Sequence, residues 1–281
     1  MLSCNPCPER SDVARLLYEG LTSQLIWAYY RAYNGLSRTY PEFICEGAMA
    51  MLLRRTGVPY RRQHEIQIFY KDRLVGVHRL DLLVDDKVVA ELKVAEHIEK
   101  IHKAQLFSYL KATGKQVGLL FNFGSPQPEF ERLFFDPTRA AAERPVTPPT
   151  VRDCELPAHL IHPELVGQIL GAAVEVHRTL GPGFIYRIYA NACYHEFRLR
   201  SIPVEARKSF QVIFEGEEIG ELKFAHFIVE EQIMFFPVAI QHIEDINVNN
   251  LKDWIRAHDI KLGLMINFYE TAIKPIFIVA K

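Results

Sequence analysis

Apolar residues recur at helical spacing through Val13, Leu16, Leu17, Leu21, Leu25 and Ile26, which predicts a helix over residues 12–33. A second helix is predicted over 42–56 and is stopped by Gly57 and Pro59. Three strands follow, at 65–70, 74–84 and 88–94, the first two joined by the turn Lys71-Asp72-Arg73. A helix is predicted over 101–112, closed by Gly114. The unbroken apolar run 117–123 reads as a buried strand, and 130–135 as an edge strand. The same order then returns. Helices are predicted at 164–179 and 185–200, strands at 209–215, 218–229 and 231–240, a helix at 247–258, and strands at 261–268 and 275–280. Helix, β-meander, helix, strand describes an α/β class fold, a mixed sheet with flanking helices, present twice.

Residue identities support the duplication. At a shift of 144, Val58-Pro59 aligns with Ile202-Pro203, Gln67 with Gln211, and Val75-Gly76 with Ile219-Gly220. After a one-residue insertion, His97-Ile98-Glu99 aligns with His242-Ile243-Glu244, and the segment 118–123 with 263–268. Eighteen of the 88 pairs from 36 to 123 are identical, against about one in twenty for unrelated sequence of average composition. Between the copies, eight of the sixteen prolines fall from Pro126 to Pro163. Such a stretch holds neither a continuous helix nor a central strand. The expected organisation is therefore residues 1–125 as one domain, 126–162 as a Pro-rich linker, and 163–281 as the second copy.

Composition narrows the class. The 281 residues are 49% apolar and 24% charged, with a net charge of −1, as in a globular protein. No apolar run reaches membrane-spanning length, and the N-terminus has no secretory pattern, so a cytoplasmic location with no membrane partner is expected. Five cysteines, an odd number, fit reduced thiols better than a disulfide framework. Cys4-x-x-Cys7 is a lone pair at the terminus; a zinc or iron–sulfur site would need two more ligands, Cys45, Cys154 and Cys193 are isolated in sequence, and whether the pair binds a metal is left open by the sequence.

Three charged residues lie inside apolar strands. Asp81 sits beside Leu80 and Leu82-Leu83-Val84, and Glu91 and Lys93 lie within Val88–Val94. Antiparallel pairing can bring Asp81 to Glu91, and alternation puts Glu91 and Lys93 on one face. Two carboxylates with the Leu92 carbonyl form a hard oxygen set suited to Mg²⁺ or Mn²⁺. A lysine beside them can orient or deprotonate water and stabilise charge on a phosphate. The competing reading is a plain strand ion pair between Lys93 and Glu91. Glu42, at the start of the second helix, offers a third acid, and His102, Gln105 and Tyr109 share one helix face.

Residues 36–124 resemble the GxxExxY family within the PD-(D/E)XK, restriction-endonuclease-like nuclease superfamily. The resemblance is carried by R-L-D-L-L-V at 79–84, V-V-A-E-L-K-V at 88–94, H-K-A-Q-L-F-S-Y-L-K-A-T-G at 102–114 and G-L-L-F-N-F-G at 118–124. It implies a metal-dependent nuclease with Asp81 and Glu91 as metal ligands and Lys93 as catalytic lysine. Glu42 would be the helix acid and Gln105 the helix glutamine. Two departures fall on the signature helix: its glycine-rich lead-in is Leu36-Ser37-Arg38-Thr39, and its tyrosine is Cys45.

The second copy keeps the lead-in, Leu180-Gly181-Pro182-Gly183, and the tyrosine, Tyr189, but not the chemistry. Tyr186, His226, Phe236, Val238 and Asn250 stand where the first copy has Glu42, Asp81, Glu91, Lys93 and Gln105. The expectation is one active-type nuclease domain and one pseudo-nuclease. The expected partner is nucleic acid, with DNA ahead of RNA, and Arg54, Arg55, Arg61 and Arg62 are candidate phosphate contacts. The alternative is a non-catalytic module that binds nucleic acid, a protein partner or another copy of itself.

Overall fold

The computed structural model of the protein describes residues 17–136, 160–207, 209–222 and 226–280. Cys4, Cys7, Cys154 and the start of the first predicted helix lie outside these residues. The described chain forms two compact units, one from residues 17–66 and 79–136, the other from 67–78 and 160–280.

The first unit holds helices α1 (Glu19–Gly35), α2 (Glu42–Arg55) and α3 (Lys100–Thr113), with strands β1 (Tyr60–Tyr70), β2 (Arg73–Val84), β3 (Val88–Lys93), β4 (Val117–Asn122) and β5 (Glu129–Phe134). The far end of the β1–β2 hairpin, Gln67–His78, belongs to the second unit. The sheet runs β1-β2-β3-β4-β5. β3 and β4 are parallel, with α3 as their crossover, and β2–β3 and β4–β5 are antiparallel. Because β3 and β4 are central and covered on both faces, their sequences are nearly unbroken apolar runs. Of the Pro-rich stretch, residues 126–136 lead into and out of β5, and 137–159 lie outside the described residues.

Alternation along the strands sorts the two faces. Leu82, Ala90, Leu92 and Phe121 pack against Leu25 and Tyr29 of α1 and Met49 and Leu53 of α2. The opposite face meets α3, where a Cβ on Gly118 would stand 3.0 Å from Leu106. Only glycine lets helix and strand approach that closely. Tyr29 ties α1 to the sheet: its fully buried ring stacks on Phe121 at 4.8 Å, and its hydroxyl donates to the Asn122 carbonyl at 2.6 Å. α3 begins with a capping box, in which Glu99 and His102 satisfy each other's backbone N–H groups. It ends on left-handed Gly114, φ 67°.

The second unit repeats this plan with α4 (Pro163–Leu180), α5 (Tyr186–Leu199), β6 (Val204–Arg207), β7 (Phe210–Phe214), β8 (Glu217–Leu222), β9 (His226–Val229), β10 (Ile233–Val238), α6 (Val248–Ala257), β11 (Leu262–Asn267) and β12 (Pro275–Val279). Its main sheet, β12-β11-β10-β9-β6, matches the first in strand order and in the parallel β10–β11 pair. One departure from the sequence reading stands out. The single strand expected at 218–229 is two, β8 and β9, and β6 was not anticipated. β6 pairs with β9, while β7 and β8 form a separate two-stranded sheet. The long β1–β2 hairpin thus has as its counterpart two separate ladders. Buried Phe197, Phe235, Phe236 and Phe268 fill the core.

Candidate active site

Asp81, Glu91 and Lys93 converge on the α3 face of the first sheet. The β2–β3 register, Leu82↔Ala90 and Leu83↔Val89, places Asp81 opposite Glu91 when continued by one pair. The Asp81 carboxylate reaches past that point and accepts from the Leu92 N–H at 2.9 Å. In an extended strand a residue's N–H and C=O point to the same side. The Leu92 carbonyl is therefore directed toward Asp81 as well, consistent with the neighbouring Lys93 carbonyl facing β4 and accepting from the Phe123 N–H at 2.8 Å.

Glu91 is buried, 5% exposed, and accepts from Lys93 Nζ at 2.9 Å. The ion pair of the plain reading is thus present, but inside the fold rather than on a solvated face. Burial together with the Glu91 charge pushes the Asp81 carboxyl from its ordinary 3.8 up to about 8, against the opposing pull of the Leu92 N–H. Burial also pushes Glu91 up, opposed by Lys93. For Lys93, burial favours the neutral amine, but Glu91, Glu42 and Asp81 outweigh it and hold the ammonium protonated. In this arrangement Lys93 is a cation and hydrogen-bond donor to Glu91.

Glu42 borders the cluster at the N-terminus of α2, where it accepts from the Val94 N–H at 3.3 Å. Gln105 is buried on α3 one turn from His102, and its amide makes no hydrogen bond to Asp81, Glu91 or Lys93. His102 senses the cluster: burial first, then the Lys93 charge, holds its imidazole below its ordinary value. Of the four arginines, Arg61 pairs with Asp86 and Arg62 with Glu46, whereas Arg54 and Arg55 are exposed.

Two residues of the site region escaped the sequence reading. Glu46, one turn after Glu42 and 3% exposed, accepts from Arg62 Nε and Gln63 Nε2, both at 2.7 Å. Its i+4 spacing from Glu42 was the available signal. Asn122 is fully buried, and its Oδ1 accepts from the N–H groups of Ala95 at 3.1 Å and Gly124 at 3.0 Å. It clips the end of β4 to the chain leaving β3, just past Lys93. Asn267 does the same in the second copy, accepting from Ile240 and Tyr269. The identity of these asparagines in the repeat was visible; their task was not.

The donor set suits a hard divalent cation. The Asp81 and Glu91 carboxyls, both pushed up by burial, lie beside the Leu92 backbone and offer hard oxygen ligands. Among the described residues no group of three or more His, Cys, Asp or Glu side chains is arranged to hold a metal, so ligands beyond this set would be water or substrate. The corresponding position of the second unit is apolar. Phe236 and Val238 are buried, and His226 lies among the rings of Phe236, Trp254 and His258 at 6.1–6.3 Å. Tyr189 has a structural job there: its hydroxyl donates to the Gly181 carbonyl at 2.7 Å and accepts from the Phe184 N–H at 3.2 Å. It closes the lead-in loop whose Gly181 and Gly183 take positive φ. Cys45, its counterpart, is a buried free thiol.

Among the described residues, no helix is long and apolar enough to cross a membrane. No curated protein and no solved structure matches the chain. A family profile described as the PD-(D/E)XK nuclease superfamily matches it twice, over residues 19–133 and 163–277. These spans coincide with the two five-stranded sheets and their flanking helices, and the chain belongs to the PD-(D/E)XK nuclease superfamily, in two tandem copies.

Proposed function

We propose that the first copy is a Mg²⁺- or Mn²⁺-dependent nuclease that hydrolyses phosphodiester bonds, with DNA as its substrate, and that the second is a pseudo-nuclease without catalytic groups. The domain plan of this reading is the expected 1–125, linker 126–162 and 163–281, corrected at one boundary: the first copy extends through β5 (Glu129–Phe134), so the linker begins after it. The observation that carries it is the convergence of Asp81, Glu91 and the Leu92 backbone beside the half-buried Lys93 ammonium. A fold under no demand for chemistry gains nothing from a half-buried carboxylate set against a buried one that repels it.

Asp81, Glu91 and the Leu92 carbonyl would hold the ion. When bound, the ion would polarise the phosphate and acidify a coordinated water. The Lys93 ammonium donates toward the same space, where it can orient the attacking water and stabilise charge gathering on the phosphate oxygens. Its pairing with Glu91 keeps the long side chain ordered before substrate arrives. Glu42 fixes the chain leaving β3 through the Val94 N–H. Arg54 and Arg55, both exposed at the end of α2, are left for backbone phosphates. In the second copy Phe236 and Val238 can neither ligate a cation nor move a proton.

The test is cleavage of labelled single- and double-stranded DNA and RNA with Mg²⁺, Mn²⁺ or EDTA, for wild type and Asp81→Asn. Cleavage of DNA that needs metal and vanishes in the variant is the expected result. Wild-type protein that cuts no substrate with either metal, yet binds DNA equally well with and without Asp81, would overturn it in favour of a binding module.

A further inference from the structure

The segment after Lys93 joins the end of β3 to α3, and side chains hold its backbone in place. The Val94 N–H donates to Glu42 Oε1 at 3.3 Å and the Ala95 N–H to Asn122 Oδ1 at 3.1 Å. The Ile98 N–H donates to Glu129 Oε2 at 2.9 Å and the Glu99 N–H to His102 Nδ1 at 3.2 Å. These acceptors come from α2, β4, β5 and α3 in turn. Glu129 has a second part in the set. Its Oε2 also accepts from Asn122 Nδ2 at 3.0 Å, which turns the Asn122 side-chain oxygen toward Ala95. One carboxylate oxygen thus fixes the loop at Ile98 directly and at Ala95 through Asn122. The carboxylate is itself well placed: Glu129 is half-buried, lies in register with Asn122 across β4 and β5, and its N–H donates to the Tyr29 hydroxyl at 2.8 Å.

The second unit offers a comparison within the same chain. Asn267 stands where Asn122 does and clips the corresponding loop through the Ile240 and Tyr269 N–H groups. Carried one pair past Ile266↔Pro275, the register of β11 and β12 sets Lys274 opposite Asn267, where Glu129 faces Asn122. An ammonium accepts no hydrogen bond. Lys274 is exposed, and Asn267 Nδ2 donates instead to the Ile240 carbonyl at 2.8 Å. Ile243, the counterpart of Ile98 at the shift of 145, opens a short 3₁₀ turn, Ile243–Asp245. The asparagine that ties strand to loop is therefore common to both copies. The glutamate belongs to the copy that has Asp81, Glu91 and Lys93. A side chain required by the fold alone would be kept in both; one required by the chemistry is lost with it.

We propose that Glu129 is a positioning residue for phosphodiester cleavage, a role that rests on the nuclease reading above. It acts through the loop 94–99 on Lys93. The Lys93 carbonyl is the last bonded group of its strand, held by the Phe123 N–H, and the backbone beyond it takes its path from the clips at Ala95 and Ile98. With both in place the Lys93 ammonium is presented to Glu91 and to the space beside Asp81 in one orientation. Without Glu129 the Ile98 clip is lost and the Asn122 amide is free to turn. Asp81, Glu91 and the Leu92 carbonyl lie on the strands before the loop, so ion binding is left largely as it was.

The experiment compares wild type, Glu129→Ala and Glu129→Gln in Mn²⁺-dependent cleavage of labelled DNA, each with and without Lys93→Ala, with kcat and KM separated. Glu129→Ala lowers kcat by about 10–100-fold at nearly constant KM. Its Mn²⁺ affinity by calorimetry stays within about threefold of wild type, because the oxygen ligands are intact. Glu129→Gln offers its amide oxygen to both Ile98 and Asn122 and recovers the rate to within about threefold. Adding Glu129→Ala to Lys93→Ala slows cleavage no further, since the two act through one group. Amide exchange at Ala95 and Ile98 quickens in Glu129→Ala and returns toward wild type in Glu129→Gln. Melting curves establish that each variant is folded at the assay temperature. A Glu129→Ala protein with wild-type kcat, an equal loss in Glu129→Gln, or losses that add in the double variant would overturn this role and leave the nuclease reading standing. A Glu129→Ala chain that does not fold assigns the residue to the fold and overturns the role as well. Wild-type protein that cleaves nothing overturns the nuclease reading, and this role with it.

Discussion

Asp81→Asn is expected to make the metal-free protein more stable at neutral pH while removing its metal response. Asp81 titrates at about 8 in the folded state and at 3.8 ordinarily. The folded state therefore holds this proton more tightly than the unfolded chain does. Its contribution to stability is fully present below the unfolded value and is lost as pH rises toward 8. Each pH unit in that window is worth up to about 1.4 kcal/mol, for an upper bound of roughly 6 kcal/mol. Relaxation and water penetration around a partly exposed carboxyl reduce this to about 2 kcal/mol. Asparagine keeps an oxygen for the Leu92 N–H but carries no charge to repel Glu91. The assay is thermal unfolding of both proteins from pH 5 to 8.5, with and without Mg²⁺ or Mn²⁺. Wild type should lose stability steadily across the range, several degrees in melting temperature for the expected change, and the variant should not. Metal should restore wild type at pH 8 by mass action and leave the variant unmoved. Parallel pH profiles for the two proteins would refute the reasoning.

Lys93→Ala should lower metal-dependent cleavage by about 10²–10⁴-fold. It should also destabilise the first unit by roughly 2–4 kcal/mol, because Glu91 is left buried without its cation; urea titration reads the second effect. Glu46→Ala removes the hydrogen bonds to exposed Arg62 and Gln63 and should cost about 0.5–1.5 kcal/mol in the same titration, whereas Glu46→Gln should recover part of it. Gly124→Ala would place a Cβ 2.6 Å from the backbone of Ala95; the loop beyond β3 must shift, with a loss of about 1–3 kcal/mol and weakened metal binding by calorimetry.

The repeat, the α/β class and the core of each unit are written in the sequence because they rest on local or periodic signals. Unbroken apolar runs such as 117–122 mark strands covered on both faces, and Gly114 marks a helix end through its left-handed backbone. Asp81, Glu91 and Lys93 were legible for a related reason: charge inside an apolar strand conflicts with its surroundings and calls for a partner. What the sequence could not decide depends on the long-range placement of residues far apart in the chain. Glu46 looked like any helix acid until Arg62 and Gln63 were brought to it. The protonation of Lys93 depends on three carboxylates from two strands and a helix, and no spacing along the chain gives their sum. The split of the second hairpin between two sheets was hidden too, because alternation reports which face a strand buries but not which neighbour it pairs with. Residues in register with one another determined the fold of each unit; only their tertiary arrangement decided which charges meet.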